Sequence, residues 1–300
     1  MNITADAVKQ LRERTGAGMM ECKRALVETQ GNLDTAAELM RKQGLAKADK
    51  KAARIAAEGV IALAKAPDGL SAAMAEINCE TDFVAREADF QAFASDVARV
   101  TLAFKPETAT TLTALSLAGS ETVDERRRTL IAKIGENITV RRHAILVSNG
   151  PVGAYLHGTR IGALVALEGG DAALAHDIAM HVAALNPQYL SIADFPAEIV
   201  AKEREIETSK ALAEGKSVDI VAKMVDGRLR KMLNEKTLLG QYFVKDPDQT
   251  IEKLLKNAKA EVKSFQRFEV GAGIEKKHDD FVGEVMAQVK ASSAPANSGT

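Results

Sequence analysis

Apolar residues recur at spacings of three and four over residues 1–54, and this pattern predicts three short helices. Gly16 can end the first helix, because glycine tolerates a left-handed backbone, and Asn32 can cap the third. The apolar positions on these helices are Val8, Leu11, Met19, Cys22, Ala25, Leu26, Ala36, Leu39 and Met40. A bundle this small buries little surface, and such bundles more often bind a partner than catalyse a reaction.

The pattern then changes to two apolar runs joined by a turn and followed by a helix, and this unit occurs twice. The first copy has strand-like runs at 59–64 and 72–79 and a helix at 89–102; the second has runs at 152–156 and 161–167 and a helix at 171–185. We therefore predict an α+β fold whose core consists of two related halves with antiparallel sheets.

The two copies differ where the second strand passes into the helix. Residues 168–171 are enough in the second copy, whereas the first uses residues 80–88. The excess contains Thr81, Asp82, Phe83 and Val84. Extra loop length at the end of a rigid element is typical of binding residues, and an acid beside an aromatic ring suits a wedge. The local alternative is that Thr81 or Asp82 caps a short helix while Phe83 packs in the core.

Residues 196–235 predict a charged helical hairpin that projects from the core. In its first helix Ile199, Ile206 and Ala213 are spaced by seven, which is the repeat of a coiled-coil seam. After residues 215–217, the second helix has apolar residues at spacings of three and four: Val218, Val221, Val225, Leu229 and Met232. The alternative is a helix pair packed flat on the core, but the many charged residues favour projection.

Further elements are predicted on either side of this hairpin. A helix is expected over residues 123–134, ending at Gly135, and a strand opens at Ile138. Apolar residues within 262–270 predict a strand that rejoins the core. The last expected features are an amphipathic helix with Phe281, Val285 and Val289 and a disordered polar tail at 292–300.

Composition indicates a protein or a small molecule as the partner. The 300 residues include 40 basic and 41 acidic side chains, and this balance gives no global attraction to nucleic acid or to an acidic membrane. Aromatic residues make up 4% and Trp is absent, so platforms for stacking single-stranded bases are not expected. The basic stretch 47–54 contains Asp49 and lies near Glu58, which favours a solvated helical linker over a nucleic-acid site.

We expect a reduced, cytoplasmic protein. Cys22 and Cys79 are isolated, without the paired spacing that binds metal or carries redox chemistry. Residues 1–4 lead into an amphipathic helix without a basic leader or an apolar signal core. No apolar run approaches the roughly 20 residues that a membrane span requires.

Signatures of catalysis and cofactor binding fail in turn. Residues 215–217 resemble the end of a phosphate loop, but Lys210 stands where its first glycine is required. His176 and His181 are five residues apart, about 140° around a helix, so they cannot share a metal as residues four apart can. His181 is expected to be a hydrogen-bonded core residue. We therefore predict that the chain is not an enzyme and holds no cofactor and no metal.

Six segments together resemble one known family. They are residues 11–20, 81–84, 133–137, 157–158, 178–184 and 267–271, with the sequences LRERTGAGMM, TDFV, KIGEN, HG, IAMHVAA and RFEVG. Because all six occur in order, the chain resembles bacterial elongation factor Ts over nearly its whole length.

The resemblance implies a guanine-nucleotide exchange factor for elongation factor Tu, the GTPase that delivers aminoacyl-tRNA. The implied domains are a ubiquitin-associated-like helical domain at 1–54, core subdomains at 55–143 and at 144–195 plus 237–275, a coiled-coil hairpin at 196–236, and a C-terminal helix module with the tail at 276–300. The hairpin could pair two copies in a 2:2 assembly, pack on its own core or contact the GTPase.

Matches to the family also imply a partner-binding surface. Within the motif Thr81 to Val84, Asp82 and Phe83 would reach the Mg²⁺ side of the partner's nucleotide site, and Phe83 would wedge between partner helices. The other contacts implied by the match are Ile134, Gly135 and His157 in the core and Met19 and Met20 in the first domain. Neither direct nucleic-acid binding nor membrane binding is expected.

Two other functions stay open from the sequence. A non-exchanging adaptor would recruit a client through the N-terminal bundle and dimerise through the hairpin, and residues 81–84 would then be dispensable. An enzyme with an unfamiliar pocket is the second, and it has no support in the sequence.

Overall fold

The N-terminal bundle forms as predicted in the computed structural model, which describes residues 3–119, 121–214 and 218–275. Its helices are α1 (Ala5–Thr15), α2 (Met19–Glu28) and α3 (Leu33–Lys51). Gly16 ends α1 with a φ of 66°, and Asn32 Oδ1 accepts a hydrogen bond from Thr35 N at 3.0 Å at the start of α3. The shared core consists of Val8, Leu11, Cys22, Ala25, Leu26 and Ala36.

The first half of the core is an antiparallel sheet covered by helices. Its strands are β1 (Glu58–Lys65), β2 (Ser71–Cys79) and β3 (Thr139–Val147), with β2 in the centre. Between β2 and β3 the chain forms α4 (Asp82–Ala85), α5 (Ala88–Phe104), α6 (Ala109–Ala114) and α7 (Val123–Ile134). The helix α5 buries Phe90, Phe93 and Val97 in the same cluster as Ile77 of β2, so this helix closes one face of the sheet.

The second half begins with the same strand–turn–strand–helix unit, which confirms the predicted repeat. It consists of β4 (Val152–His157), β5 (Ile161–Glu168) and α8 (Ala172–Leu185). A Cβ on Gly153 would lie 1.9 Å from the carbonyl oxygen of Ala175, so α8 approaches β4 at a distance that only glycine permits.

A long insertion separates α8 from the last strand of its sheet. It contains a short 3-10 helix (Ile192–Asp194), α9 (Ala197–Ala213), α10 (Val218–Lys236), β6 (Tyr242–Phe243), β7 (Asp246–Thr250) and α11 (Ile251–Asn257). The chain then returns as the predicted strand, β8 (Glu261–Glu269), which pairs with β5 and leaves β5 central. The elements β6, β7 and α11 were not predicted, because each is too short to show a periodic pattern.

The seam of the α9–α10 hairpin differs from the prediction in α9. Ile199, Ile206 and Ala213 were expected in the seam, but all three are exposed. The buried residues are Ala211 in α9 and Val221, Val225, Leu229 and Leu233 in α10. The inward positions of α9 include Glu207, whose side chain is 15% exposed and lies 3.9 Å from Arg228 across the hairpin. Because a glutamate interrupts the apolar pattern, the isoleucine repeat indicated the wrong side of the helix.

The two sheets share a core between them. Ile61 and Met74 from the first sheet pack in one cluster with Val152, Leu164 and Phe268 from the second. A Cβ on Gly162 would lie 2.6 Å from Ile61 Cγ2, so the sheets approach closely at this glycine.

A buried carboxylate also joins the two halves. Glu76 of β2 is fully buried and accepts hydrogen bonds from Arg141 Nη1 at 2.9 Å, Arg142 Nε at 2.5 Å and Gly271 N at 2.8 Å. Burial by itself raises the pKa of Glu76, but these hydrogen bonds more than offset it, so the pKa lies below its ordinary value. Since Gly271 lies just beyond β8, the second half is tied to the centre of the first sheet.

Some predicted features lie outside the described residues. They are the break at 215–217, the side chain of Val218, the final helix with Phe281, Val285 and Val289, and the tail at 292–300. Within the described part, no helix has the length and apolarity needed to cross a membrane.

Candidate partner-binding site

The turn after β2 contains a short helix that begins at a residue predicted as its cap. Thr81 precedes α4 with an extended backbone, and its Oγ1 accepts a hydrogen bond from Val84 N at 3.4 Å. Val84 and Ala85 are buried and anchor the turn, whereas Phe83 is 77% exposed. The local alternative is thus half right: Thr81 caps a short helix, but Phe83 is not a core residue.

Phe83 is flanked by an exposed ion pair. Asp82 Oδ2 lies 2.8 Å from Arg86 Nη2, and the two side chains are 49% and 76% exposed. A single exposed apolar residue is common on protein surfaces. Here, however, the ring lies beside the carboxylate of Asp82, whose exposed ion pair with Arg86 is weak, so another cation can take the place of Arg86. The turn therefore exposes an apolar ring and an acid side by side.

Glu136 fixes the entrance of this turn. Its Oε2 accepts hydrogen bonds from Glu80 N at 3.1 Å and Thr81 N at 3.0 Å, and its Oε1 accepts one from Thr81 Oγ1 at 2.6 Å. Burial, together with the carboxylates of Glu136 and Glu58, raises the pKa of the Cys79 thiol to about 12. The thiol therefore stays protonated and donates to the carbonyl oxygen of Thr81 at 3.1 Å.

Hydrogen bonds also run in the opposite direction, from the segment around Glu136 to the side chain of Glu80, and they extend to the chain that follows α3. Glu80 Oε1 accepts a hydrogen bond from Asn137 N at 2.6 Å, and Asn137 Nδ2 donates to the carbonyl oxygen of Arg54 at 2.7 Å. Lys51 Nζ donates to the carbonyl oxygen of Gly135, which ends α7 with a φ of 92°. The turn, the half-buried Ile134, Gly135 and the linker are thus joined through one network.

His157 lies at the tip of the β4–β5 hairpin and is exposed. The tip is held against the first sheet, because Thr159 O accepts a hydrogen bond from Ile61 N at 2.7 Å and Arg160 Nη1 lies 2.5 Å from Glu58 Oε2. Glu58 is the register partner of Cys79 at the end of β2. The hairpin tip therefore lies at the same end of the first sheet as the turn of residues 81–84.

Met19 and Met20 begin α2 and are 49% and 69% exposed. The neighbouring loop approaches α7, since a Cβ on Gly16 would lie 3.5 Å from Lys133 Cδ, and Lys133 also pairs with Asp89 at the start of α5. The structure thus joins Thr81 directly to the segment after Gly135. Met19, Met20 and His157 are linked to this turn only indirectly, through neighbouring elements.

Among the described residues, no group of three His, Cys, Asp or Glu side chains is placed to hold a metal ion. A cavity of about 440 Å³ between the bundle and α7 is lined by a mixture of charged, small and apolar residues, without His or Cys. His181 is fully buried and bonded to Gln241, which confirms it as a hydrogen-bonded core residue.

Sequence reasoning missed the residues that hold the turn. Glu136 and Asn137 lie in a segment that resembled the family, but they received no role. Cys79 and Glu80 received no such role either, although the sequence marked residues 80–88 as the longer connection. Glu76 was missed as the link between the two halves, although a charged residue between Ala75 and Ile77 was an available signal, because buried charges require partners.

Comparison with known proteins agrees with this architecture. The family "Elongation factor TS" matches residues 80–272. Elongation factor Ts of Methylococcus capsulatus is 59% identical over 293 residues, covering 97% of this chain and 100% of the relative. The protein of the same name from Alkalilimnicola ehrlichii is 57% identical over 293 residues, with the same coverage, and that of Legionella pneumophila is 54% identical over 288 residues, covering 96% and 99%.

The helical bundle, the double sheet and these matches define a translation elongation factor. The chain belongs to the elongation factor Ts family, as its sequence resemblance indicated.

Proposed function

We propose that the chain is a guanine-nucleotide exchange factor that binds elongation factor Tu carrying GDP and promotes GDP release in the cytoplasm. Membership of the elongation factor Ts family supports this partner and this role. The observation that carries the mechanism is Phe83, a ring 77% exposed on a turn whose entrance is held by hydrogen bonds. A preorganised apolar group can enter a partner with little ordering cost.

The proposed mechanism requires no bond-making chemistry. A GTPase holds its diphosphate through backbone N–H groups, a lysine and Mg²⁺, and a factor that disturbs the Mg²⁺ and phosphate loop removes part of that binding. If the chain weakens nucleotide binding, nucleotide weakens binding of the chain by the same factor. A loss of about 4 kcal/mol corresponds to roughly a thousandfold in affinity. We therefore propose that the chain is not an enzyme and uses no cofactor.

We propose a separate role for each residue of the partner-binding surface. Phe83 acts as the wedge, and Asp82 reaches the Mg²⁺ side of the partner's site after leaving Arg86. The further partner contacts that we propose are Ile134, Gly135, His157, Met19 and Met20. We further propose a 2:2 assembly through the hairpin, supported by the exposed apolar residues Ile199 and Ile206 of α9.

Stopped-flow release of fluorescent GDP from elongation factor Tu, at fixed Mg²⁺, tests this proposal. The intact chain should accelerate release. Phe83→Ala should lower the acceleration by at least about tenfold, since truncating an aromatic anchor typically costs about 2 kcal/mol or more. Phe104→Ala is the matched control, because Phe104 is 63% exposed at the end of α5 but lies outside the proposed site.

Two other outcomes would overturn the proposal. Binding without acceleration, lost on removal of residues 1–50 but not in Phe83→Ala, would establish the adaptor instead. An equal effect of Phe83→Ala and Phe104→Ala on exchange would remove the wedge from the mechanism.

A further inference from the structure

The short helix α4 is not stable without contacts to the rest of the chain. It has four residues, and a single helical turn is unstable by itself because nucleation fixes several dihedral angles for one hydrogen bond. The exposed ring of Phe83 adds little packing. Val84 and Ala85 anchor the helix in the core, and the backbone that enters the turn at Thr81 is the second constraint on the direction of this ring.

Glu136 is the group that fixes this backbone from a distant part of the chain. It lies 55 residues from Thr81 in sequence, and its two carboxylate oxygens together accept two backbone N–H bonds and one hydroxyl bond. Hydrogen bonds to an ionised acceptor are roughly twice as strong as bonds between neutral groups. One side chain thus determines where the turn begins.

The position of Glu136 in sequence gives this contact a second consequence. It directly follows Ile134 and Gly135, which are themselves proposed to contact the partner. Its carboxylate consequently joins two proposed contact segments in one rigid unit. Rigid placement matters for binding, because ordering a loop during association lowers affinity.

We propose that Glu136 is a positioning residue for nucleotide exchange. It holds Phe83 and Asp82 in a fixed direction relative to Gly135 and acts through them. The inference rests on the proposed exchange function, since the direction of Phe83 affects a rate only if the ring acts on a partner.

The chain supplies a matched control at the other end of α7. Glu125 Oε2 accepts hydrogen bonds from Thr122 N at 2.9 Å and Thr122 Oγ1 at 3.1 Å, so it also binds a backbone N–H and a threonine hydroxyl. This contact caps the start of α7 and does not touch the turn. Alanine at either position removes the same kinds of bonds, but only one of the two changes affects residue 81.

The test measures fluorescent GDP release from elongation factor Tu over a range of concentrations of the full chain. The ratio of the saturating rate to the half-saturating concentration should fall about tenfold in Glu136→Ala, equivalent to about 1.4 kcal/mol, and less than about twofold in Glu125→Ala. Glu136→Gln should keep most of the activity. Its amide oxygen can accept the two N–H bonds while its amide nitrogen donates to the Thr81 hydroxyl.

A double-mutant cycle separates positioning from an independent role. Because Glu136 acts through Asp82 and Phe83, Glu136→Ala should slow exchange by less than about twofold in a background that carries both Asp82→Ala and Phe83→Ala. Additive losses would overturn the inference, and so would a Gln variant as slow as the Ala variant. Should Glu136→Ala fail to fold, Glu136→Asp replaces it with the same expected loss, because its shorter side chain cannot reach all three donors.

Different outcomes would exclude the exchange function and the positioning role. If the intact chain does not accelerate GDP release, the exchange function and the positioning role fall together. If the intact chain accelerates release but Glu136→Ala behaves like Glu125→Ala, only the positioning role is wrong.

Discussion

The two halves of the core make the same strand-to-helix connection in different ways. In the second half, β5 passes to α8 through Gly169 and Gly170, with φ of 73° and 68°, and Asp171 caps α8 by accepting a hydrogen bond from Leu174 N at 2.8 Å. In the first half, residues 80–88 add the helix α4 before α5 begins. The connection in the second half is a short capped turn, whereas the connection in the first half leaves the ring of Phe83 exposed to solvent.

This difference separates stability from function. A Cβ on Gly169 would lie 2.3 Å from the carbonyl oxygen of Lys259, so the second connection packs tightly against the chain that leads into β8. In the first connection, Glu136 and Cys79 instead hold a turn whose exposed Phe83 contributes nothing to the core. We therefore expect the first connection to serve the partner and the second to serve the fold.

The largest effect is expected where Glu76 ties the two halves together. Glu76→Ala should lower the free energy of unfolding by about 3 kcal/mol, because it leaves Arg141 and Arg142 without their buried partner. We place the loss at the low end of the range for buried pairs, since these arginine side chains are 25% and 34% exposed. Urea unfolding measures the change. Unaltered stability would show that the shared apolar core and the other contacts between the halves are enough to join them.

A crossed pair of variants tests the division of roles directly. Gly169→Ala should lower the free energy of unfolding by about 1–3 kcal/mol, because it places a side chain at positive φ against a backbone oxygen. It should leave GDP exchange unchanged. Phe83→Ala should change stability by less than about 0.5 kcal/mol but slow exchange. Parallel thermal unfolding and stopped-flow measurements check both, and a variant that alters both properties equally would contradict the division.

Sequence patterns revealed the scaffold better than the contacts that fix the site. The alternation of the strands and the spacing in α5 and α8 are local, so the repeat could be predicted, and comparing its copies marked residues 81–84. The hydrogen bonds that fix Thr81 come from Glu136, which lies 55 residues away in sequence, so no local spacing predicts them. In α9 the inward side of the helix could not be recognised from the sequence, because it includes the charged residue Glu207. The methylene groups of such a side chain can pack against the neighbouring helix while its carboxylate pairs with a cation.

Acid pH offers a smaller test, because the second half carries a buried histidine on α8. His181 Nδ1 accepts a hydrogen bond from Val244 N at 3.2 Å, and Nε2 lies 3.0 Å from Gln241 Oε1, so a neutral ring with its proton on Nε2 satisfies both contacts. Burial lowers the pKa of His181 below its ordinary value of 6.5, more than the hydrogen bond to Gln241 raises it. As the pH falls below 6.5, the unfolded chain therefore takes up the proton first.

The contribution of His181 to stability is accordingly complete above pH 6.5 and is lost as the pH falls toward the lowered pKa. The slope from one such group is at most about 1.4 kcal/mol per pH unit. Urea unfolding at about pH 7.5 and about pH 5.5 should show that His181→Gln removes this part of the dependence. An unchanged dependence in the variant would assign it to groups other than His181.

The smallest expected effect concerns the ion pair beside the wedge and sharpens what the first connection presents to a partner. The pair of Asp82 and Arg86 is exposed, and such pairs are worth about 0.2–0.5 kcal/mol. If Asp82 must leave Arg86 to reach the Mg²⁺ side of the partner's site, Arg86→Gln should speed GDP release by less than about threefold. High salt should erase the difference, because screening weakens the same pair in the intact chain. Slower release would mean that Arg86 itself contacts the partner, and the first connection would then act through a cation as well as through its acid and its ring.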